Sequence, residues 1–358
     1  MKKRLFLFLF LFSFLPQTTY ASEAPVSLIV KSSSTSSYHS LLKIESDLLF
    51  NEILNAQPMQ KVADVPVSNH YIVVDINGIM VIYTIDDYGN VYDLQQKQKI
   101  HFSPKTVTKL KTYFNVLQRK HFGQLADWEE VKNRIPKYSK FRITDLETGL
   151  SFHAQRRAGS RHADVQPLSR TDTKIMKEIY DGTWSWKRKA ILVHVDNEVF
   201  AASMHGMPHG KGAIPNGFPG HFCIHFKGST VHKTKKQELS HQVMVYKAAG
   251  QLTSFVKQLS AEEIVELFFI ACNQSDLDLL KLIYNDDVEK FRPIMKNIEQ
   301  IKISKQHEPI KDGALEFELP IQFSIKEYGK KKIDATFTFQ LFRVSPTSEW
   351  KVVNAPFE

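Results

Sequence analysis

Residues 202–226 have the sequence ASMHGMPHGKGAIPNGFPGHFCIHF, and this stretch decides the predicted fold of the middle of the chain. It begins within an apolar run at 199–204 and ends in an alternating run at 221–226, and both patterns are typical of β-strands. The glycines and prolines between the two runs indicate a long loop. Further strands predicted at 141–145, 150–155 and 190–195, and helices at 170–180 and 236–250, make 140–250 a β-rich domain.

The same stretch contains one of only two cysteines in the chain, Cys223. On a strand, residues two apart share a face, so His221 and His225 should lie on the same side as Cys223. Cationic neighbours favour the thiolate, which is the nucleophilic form of cysteine. We therefore predict that Cys223 is a catalytic nucleophile and that His205 is its base. The alternative is a buried core cysteine, as we predict for Cys272.

A second predicted cluster consists of His162, Asp164 and His209. The first two lie two residues apart in a segment that we predict to be a loop, where they could orient a catalytic group or bind a metal. The main hypothesis requires no cofactor. The alternative is a zinc site whose ligands are His162, Asp164, His221 and His225.

The charge distribution favours an anionic partner. The 358-residue chain has a formal net charge of +9. Residues 140–250 contain 17 Lys and Arg against nine Asp and Glu, together with nine of the 14 histidines. A positive charge concentrated in one domain favours binding to an anionic polymer.

The N-terminal residues predict export. Residues 2–4 are basic, residues 5–15 are almost entirely Leu and Phe, and small residues precede a cleavage site near Ala21. The apolar run is about half of the ~20 residues that a spanning helix needs. We therefore predict a secreted protein, in the cell wall or outside the cell, with no stable membrane anchor and no nucleic-acid partner. The oligomeric state is left open.

Two modules flank the central domain in this prediction. Residues 25–135 are predicted to form an α+β module, with a serine-rich linker or weak strand at 25–38, helices at 38–54 and 104–119, and a hairpin turned by Asn77 and Gly78. Residues 260–358 begin with a capping box at Ser260 and Glu263 and continue with two helices and then strands. This order resembles the cystatin-like, nuclear-transport-factor-2-like cone. The predicted fold class is α+β and multi-domain, with a C-terminal helix pair on a curved antiparallel sheet.

The central residues resemble the L,D-transpeptidases, secreted enzymes that crosslink bacterial peptidoglycan through a cysteine. That family has a strand ending in His-Gly-Thr, a loop of about a dozen residues, and then Ser-x-Gly-Cys-Ile/Val-Arg. Here His205 and Gly206 precede the loop, and Cys223 follows His205 by 18 residues. The chain departs from the family pattern at four positions, which are Met207 for threonine, Gly220 for serine, Phe222 for glycine and His225 for arginine.

The resemblance implies acyl transfer through a Cys223 thioester, with peptidoglycan or another anionic wall polymer as the partner. It implies that His205 accepts the thiol proton, and that the remaining site residues bind substrate or the oxyanion, namely Gly206, His221, Phe222 and His225. Two alternatives stay open at this point. One is a zinc-dependent cell-wall peptidase, and the other is a non-catalytic protein that binds or assembles the wall.

Overall fold

The structure is a computed structural model that describes residues 26–232, 234–304 and 314–357. The predicted signal peptide at 1–21 lies outside these residues. The described chain combines helices with antiparallel sheets, which confirms the predicted α+β class. The division into modules at 25–135, 140–250 and 260–358 stays a prediction.

The first part of the chain is a seven-stranded antiparallel sheet with the order β2-β1-β4-β5-β6-β7-β3. Its Asn77-Gly78 turn has positive φ at both residues, as a two-residue hairpin requires, so the predicted hairpin is confirmed. The predicted helix at 104–119 is also confirmed, and it packs Leu110 and Phe114 into the core. The elements are β1 (Val26–Lys31), β2 (His39–Ile44), α1 (Asp47–Leu54), β3 (Gln57–Lys61), β4 (His70–Ile76), β5 (Ile79–Ile85), β6 (Val91–Asp93), β7 (Gln98–His101) and α2 (Pro104–His121).

For residues 25–54, the first-strand alternative is observed as β1, whereas the predicted helix at 38–54 is wrong. The predicted helix at 38–54 is a strand followed by a shorter helix, because β2 pairs along β1 and Ser46 caps α1 by accepting from the Leu49 amide. The serine run at 32–37 directly follows β1 and is not a linker. It forms a packed turn in which Ser36 Oγ donates to the Leu146 carbonyl (2.6 Å) and Ser34 Oγ donates to an Asp278 carboxylate oxygen (2.8 Å).

The central part is a closed six-stranded antiparallel barrel with the order β10-β13-β12-β11-β8-β9. Side chains from all six strands fill its interior, among them Ile143, Phe152, Val165, Val193 and Phe222. Its elements are α3 (Trp128–Arg134), β8 (Lys140–Asp145), β9 (Ser151–Ala158), β10 (Ala163–Pro167), α4 (Arg170–Ile179), β11 (Arg188–Val195), β12 (Glu198–His205), β13 (Phe222–His225) and α5 (Leu239–Ala248).

One strand of this barrel was not predicted. The segment that contains His162 and Asp164 was expected to be a loop, but residues from Ala163 onward form β10. This strand closes the barrel by pairing with β9 and β13. The strand is only five residues long and contains an Asp, so its sequence does not show a strand pattern. In the structure, Asp164 is the β10 residue that pairs with Cys223 of β13.

The last part is a four-stranded antiparallel sheet with the order β14-β15-β16-β17. The predicted capping box is confirmed, since Ser260 Oγ accepts from the Glu263 amide and the Glu263 carboxylate accepts from the Ser260 amide. Its elements are α6 (Leu252–Val256), α7 (Ala261–Gln274), α8 (Leu277–Ile283), a 3-10 turn (Glu289–Phe291), α9 (Arg292–Asn297), β14 (Ile298–Ile303), β15 (Glu316–Glu327), β16 (Ile333–Phe342) and β17 (Lys351–Val352).

One continuous apolar core joins these parts. It contains buried residues of the first sheet, of the outer face of the barrel and of α7 and the last sheet, such as Leu28, Leu192 and Phe268. A buried ion pair crosses the same region, where Lys247 Nζ of α5 lies 2.6 Å from Asp276 Oδ2 at the start of α8. The relative placement of the parts is therefore determined by packing as well as by chain connection.

None of the helices in the described parts of the chain combines the length and the apolar character needed to cross a bilayer.

Two histidines with little solvent exposure, His70 on β4 and His121 on α2, are expected to make the first part of the chain sensitive to acid. The ring of His70 packs on Phe114 and that of His121 on Phe122, and the Nε2 atom of each histidine has no hydrogen-bond partner. Burial lowers the pKa of both from 6.5 to about 4.

Because the unfolded chain binds protons near pH 6.5 and the folded one does not, the free energy of unfolding is expected to fall as the pH is lowered from 6.5 to 4. Urea unfolding at several pH values in that range measures this. The double variant His70→Gln, His121→Gln should show a shallower slope, whereas His101→Gln, at an exposed position, should keep the slope. An unchanged slope in the double variant would contradict the assignment.

Candidate functional site

The candidate site lies on the outer face of the barrel, where β10, β13 and β12 run side by side. Phe222, Ile224 and Met204 fill the barrel interior. Because neighbouring strand residues point to opposite faces, the residues between them point outward. The outward set consists of Asp164 on β10, Cys223 and His225 on β13, and Ser203 and His205 on β12. The predicted common face of Cys223 and His225 is thus observed.

The loop at 206–221 brings one more histidine to this face. The ladder between β12 and β13 pairs only Ser203 with His225 and Met204 with Ile224, so it stops one residue before His205 and Cys223. Beyond that point, His209 and His221 pair through both backbone hydrogen bonds, of 3.0 and 2.9 Å.

Glycine is required on both sides of this contact. Gly210 and Gly220 have φ of +63° and +115°. A Cβ at Gly210 would lie 2.3 Å from the His221 ring, and one at Gly220 would lie 2.4 Å from the His209 carbonyl oxygen. The Gly-rich composition of the loop therefore serves to hold His209 against β13.

His209 is the imidazole in contact with the cysteine. Its Nε2 lies 3.3 Å from Cys223 Sγ, and its Nδ1 lies 3.1 Å from the Met207 carbonyl oxygen. A carbonyl can only accept, so Nδ1 carries the proton and Nε2 presents a lone pair to the thiol. The contact thus has the order nucleophile, base and orienting group.

His205, which the sequence predicts as the base, lies one step further away. One of its ring nitrogens is within 4.8 Å of Cys223 Sγ and of a ring nitrogen of His209, but it makes no hydrogen bond to the sulfur. Its ring packs between Trp186 (4.7 Å between centroids) and His209 (5.2 Å). His205 is buried, and its Nδ1 has no hydrogen-bond partner.

Asp164 is the centre of the second cluster. Its Oδ1 lies 3.3 Å from His162 Nε2, and 3.8 Å from each of His221 Nε2, His232 Nε2 and Cys223 Sγ. The predicted cluster of His162, Asp164 and His209 therefore surrounds Cys223 rather than forming a separate site. The His162 nitrogen is near enough for an ion pair, although its direction does not give a hydrogen bond.

The charges of the site favour a neutral thiol at rest. Burial and the Asp164 carboxylate both raise the pKa of the Cys223 thiol. Burial alone would raise the pKa of Asp164, but His162 and the neighbouring histidines lower it. Burial also lowers the pKa of His209, with His221 adding to that effect, so its ring is neutral near pH 7. A nucleophilic thiolate therefore has to form by proton transfer during the reaction.

The other predicted substrate residues are placed differently. The Gly206 amide donates to the Ser185 carbonyl, and Phe222 lies inside the barrel. His225 lies behind the cysteine, stacked on His241 of α5 at 3.8 Å between centroids. His241 is held by Ser203 Oγ (2.9 Å), so these two histidines form a buried support under the site. Among the four predicted residues, His221 approaches Asp164 directly, and His225 contacts the cluster through its ring, which stacks on His162 at 4.5 Å between centroids.

A groove of about 2250 Å³ adjoins the site between the barrel and the C-terminal sheet. Trp186 and Met207 line it, and the Trp186 ring contacts both His205 and His209. Trp186 is 45% exposed, so its ring is free to stack on a ligand, whereas the neighbouring Trp184 packs on Phe218. The wall of the groove is therefore next to the base that contacts Cys223.

Two groups of side chains within the described residues could hold a metal ion. In each group the ligand atoms all lie within 4.8 Å of one another. One consists of His162, Asp164 and Cys223, and the other of His205, His209 and Cys223. The cysteine belongs to both, so a metal ion and the thiol chemistry would compete for the same atom.

Sequence reasoning missed four supporting residues of the site. The Met207 carbonyl orients His209, the Thr230 carbonyl accepts from His162 Nδ1 (2.8 Å), and Ser203 with His241 supports His225. The carbonyls leave no signal in a sequence. Ser203 and His205 are two residues apart on a predicted strand, and that spacing does place both on one face. No protein-family description, curated protein or solved structure matches this chain.

Proposed function

We propose that the protein is a secreted cysteine enzyme that transfers acyl groups of peptidoglycan peptides through a Cys223 thioester. The observation that carries this proposal is the Cys223–His209 hydrogen bond, with the Met207 carbonyl fixing the tautomer of the base. The role of base, predicted for His205, passes to His209 in this proposal. His205 then supports the base through ring packing.

The reaction balances without a cofactor. Cys223 Sγ attacks the carbonyl carbon of a peptide bond while its proton moves to His209 Nε2. The C–N bond breaks and His209 returns the proton to the leaving amine, which gives a thioester and a free amine. An acceptor amine resolves the thioester to a new amide in crosslinking, and water resolves it to a carboxylate in hydrolysis.

The positive charge of 140–250 and the groove beside the base support a wall polymer as the substrate. The groove is lined by cations and by carboxylates, such as Lys187, Arg188, Glu263 and Glu266. A peptide that carries both amino and carboxyl groups complements such a lining. Trp186 adds an exposed ring that suits the sugar faces of the polymer.

Trapping of the thioester tests the proposal. Purified peptidoglycan peptides are incubated with the reduced, metal-free protein, and intact mass and peptide mapping locate the adduct. We expect an acyl adduct on Cys223 in the wild-type protein and in Cys272→Ala, which removes only the buried helix cysteine. Cys223→Ala should form none. An adduct that survives in Cys223→Ala, or its absence from folded wild-type protein, would refute the proposal.

A zinc-dependent wall peptidase is the second candidate, and the compact group of His162, Asp164 and Cys223 favours it. The ligand set differs from the predicted one, because His225 stacks on His241 and Cys223 takes its place. Under this candidate, peptide hydrolysis requires zinc and stops with a chelator. Binding to the wall without any bond made or cut, in either condition, would select the non-catalytic alternative.

A further inference from the structure

The strongest unexplained feature of the site is a set of electron-pair donors that face one another. The Thr230 carbonyl lies 2.8 Å from His162 Nδ1 and can only accept, so Nδ1 carries a proton and Nε2 is directed towards Asp164 Oδ1 at 3.3 Å. His162 is only 3% exposed, and its Nε2 has no hydrogen-bond partner. A metal cation placed between this buried nitrogen and this carboxylate oxygen would be bound by both.

His221 repeats this arrangement on the other side of Asp164. Its Nδ1 lies 3.2 Å from the Lys211 carbonyl oxygen, and its Nε2 faces Asp164 Oδ1 at 3.8 Å. Backbone carbonyls that hold the second ring nitrogen are the usual outer partners of metal-bound histidines. The thiol of Cys223, also 3.8 Å from Asp164 Oδ1, adds a soft ligand.

We infer that this cluster binds a thiophilic divalent cation, with zinc as the best fit. The bound ion inhibits the acyl transfer proposed above, an effect called silencing below. The ligands are His162 Nε2, Asp164 Oδ1 and Cys223 Sγ. The fourth comes from His221 Nε2 or His232 Nε2, each of which lies 3.8 Å from Asp164 Oδ1. Zinc bonds of about 2.0–2.3 Å place tetrahedral ligands about 3.3–3.6 Å apart. The observed separations from Asp164 are within a few tenths of an ångström of this range.

The number of ligands decides between a catalytic and a silencing ion. Catalytic zinc keeps one position open for water, whereas four protein ligands close the site. Binding also converts the Cys223 thiol to a zinc-bound thiolate and releases one proton. The sulfur then has no proton to transfer to His209, and its electron pair is held by the metal instead of being free to attack a carbonyl carbon. The claim that the ion inhibits acyl transfer rests on the proposed function. The claim that the cluster binds the ion does not, since metal binding is measured independently of activity.

Metal titration of the reduced full chain tests the first half. Zinc is followed by calorimetry in buffers of different ionisation heat, and cobalt(II) is followed by its thiolate charge-transfer absorption. We expect one ion per chain, about one proton released, and a charge-transfer band that Cys272→Ala retains and Cys223→Ala loses. His162→Gln and Asp164→Asn should each weaken binding by more than the roughly 10–100-fold that loss of an outer partner costs.

Thioester trapping at increasing zinc occupancy tests the second half. The adduct on Cys223 should decline in proportion to occupancy, and a chelator should restore it. Absence of zinc binding, or a cobalt spectrum without the thiolate band, would overturn the metal site. Unchanged or increased activity at full occupancy would overturn the silencing and, if increased, would support the zinc peptidase. Metal binding with the expected spectrum but no adduct in the metal-free protein would instead refute the acyl-transfer proposal.

Discussion

His209→Ala is expected to lower kcat/KM for acyl transfer by roughly 10²–10⁴-fold, the usual contribution of a general base. The thiol of Cys223 is neutral at rest because burial and Asp164 raise its pKa, so attack requires a base in contact with the sulfur. His209 is that base by distance. The loss should fall mainly on kcat, since the variant leaves the groove lined by Trp186 in place.

The matched control is His205→Ala, because the sequence and the structure disagree on these two histidines. If His209 is the base, His205→Ala should have the smaller effect on turnover. The pH profile gives a second readout. Activity requires neutral His209, whose pKa lies below 6.5, so the acid limb of the profile should lie below pH 6.5. A larger loss in His205→Ala than in His209→Ala would return the base role to His205.

Lys247→Ala is expected to destabilise the protein by about 3–5 kcal/mol, because it leaves the Asp276 carboxylate buried without its partner. Burial alone would lower the pKa of Lys247, but Asp276 raises it, so Lys247 keeps its charge. The free energy of unfolding from urea titration measures the effect. Lys330→Ala, which removes an exposed pair with Glu327, should cost less than about 1 kcal/mol.

A compensating variant separates charge from packing at this position. Asp276 also caps α8, since its Oδ1 accepts from the Leu279 amide at 3.0 Å. The double variant Lys247→Met, Asp276→Asn removes both charges and keeps a capping oxygen, so it should recover part of the lost stability. Equal stability of Lys247→Ala and wild-type protein would show that the pair contributes nothing.

Short sequence motifs correctly predicted those turns and helix ends that depend only on interactions between neighbouring residues. The Asn77-Gly78 turn and the Ser260 capping box are confirmed because each is determined by its own few residues. The strand that contains Asp164 was missed because it is short and partly polar, and because one of its two partners, β13, is distant in the sequence. The predicted helix at 38–54 is wrong for a different reason, since pairing of 39–44 with the nearby β1 outweighs helical periodicity there.

The candidate site was predicted by composition more than by geometry. Histidines around Cys223 were expected, and the structure does bring His162, Asp164, His209 and His221 to that cysteine. Which histidine touches the sulfur could not be predicted, because it depends on the path of the 206–221 loop. That path follows from a backbone pairing between His209 and His221 that allows no Cβ at Gly210 or Gly220.

The packed serine turn at 32–37 has a consequence for how the molecule unfolds. This turn follows β1, and it hydrogen-bonds both to the Leu146 carbonyl next to the barrel and to Asp278 of α8. The first sheet is therefore hydrogen-bonded to both the central and the C-terminal part of the chain. Local unfolding of the first sheet, the barrel or the C-terminal part is therefore expected to break contacts with the other two. Heating should accordingly produce a single cooperative unfolding transition. A barrel expressed without the other two parts should expose the apolar outer face that they cover, and it should aggregate.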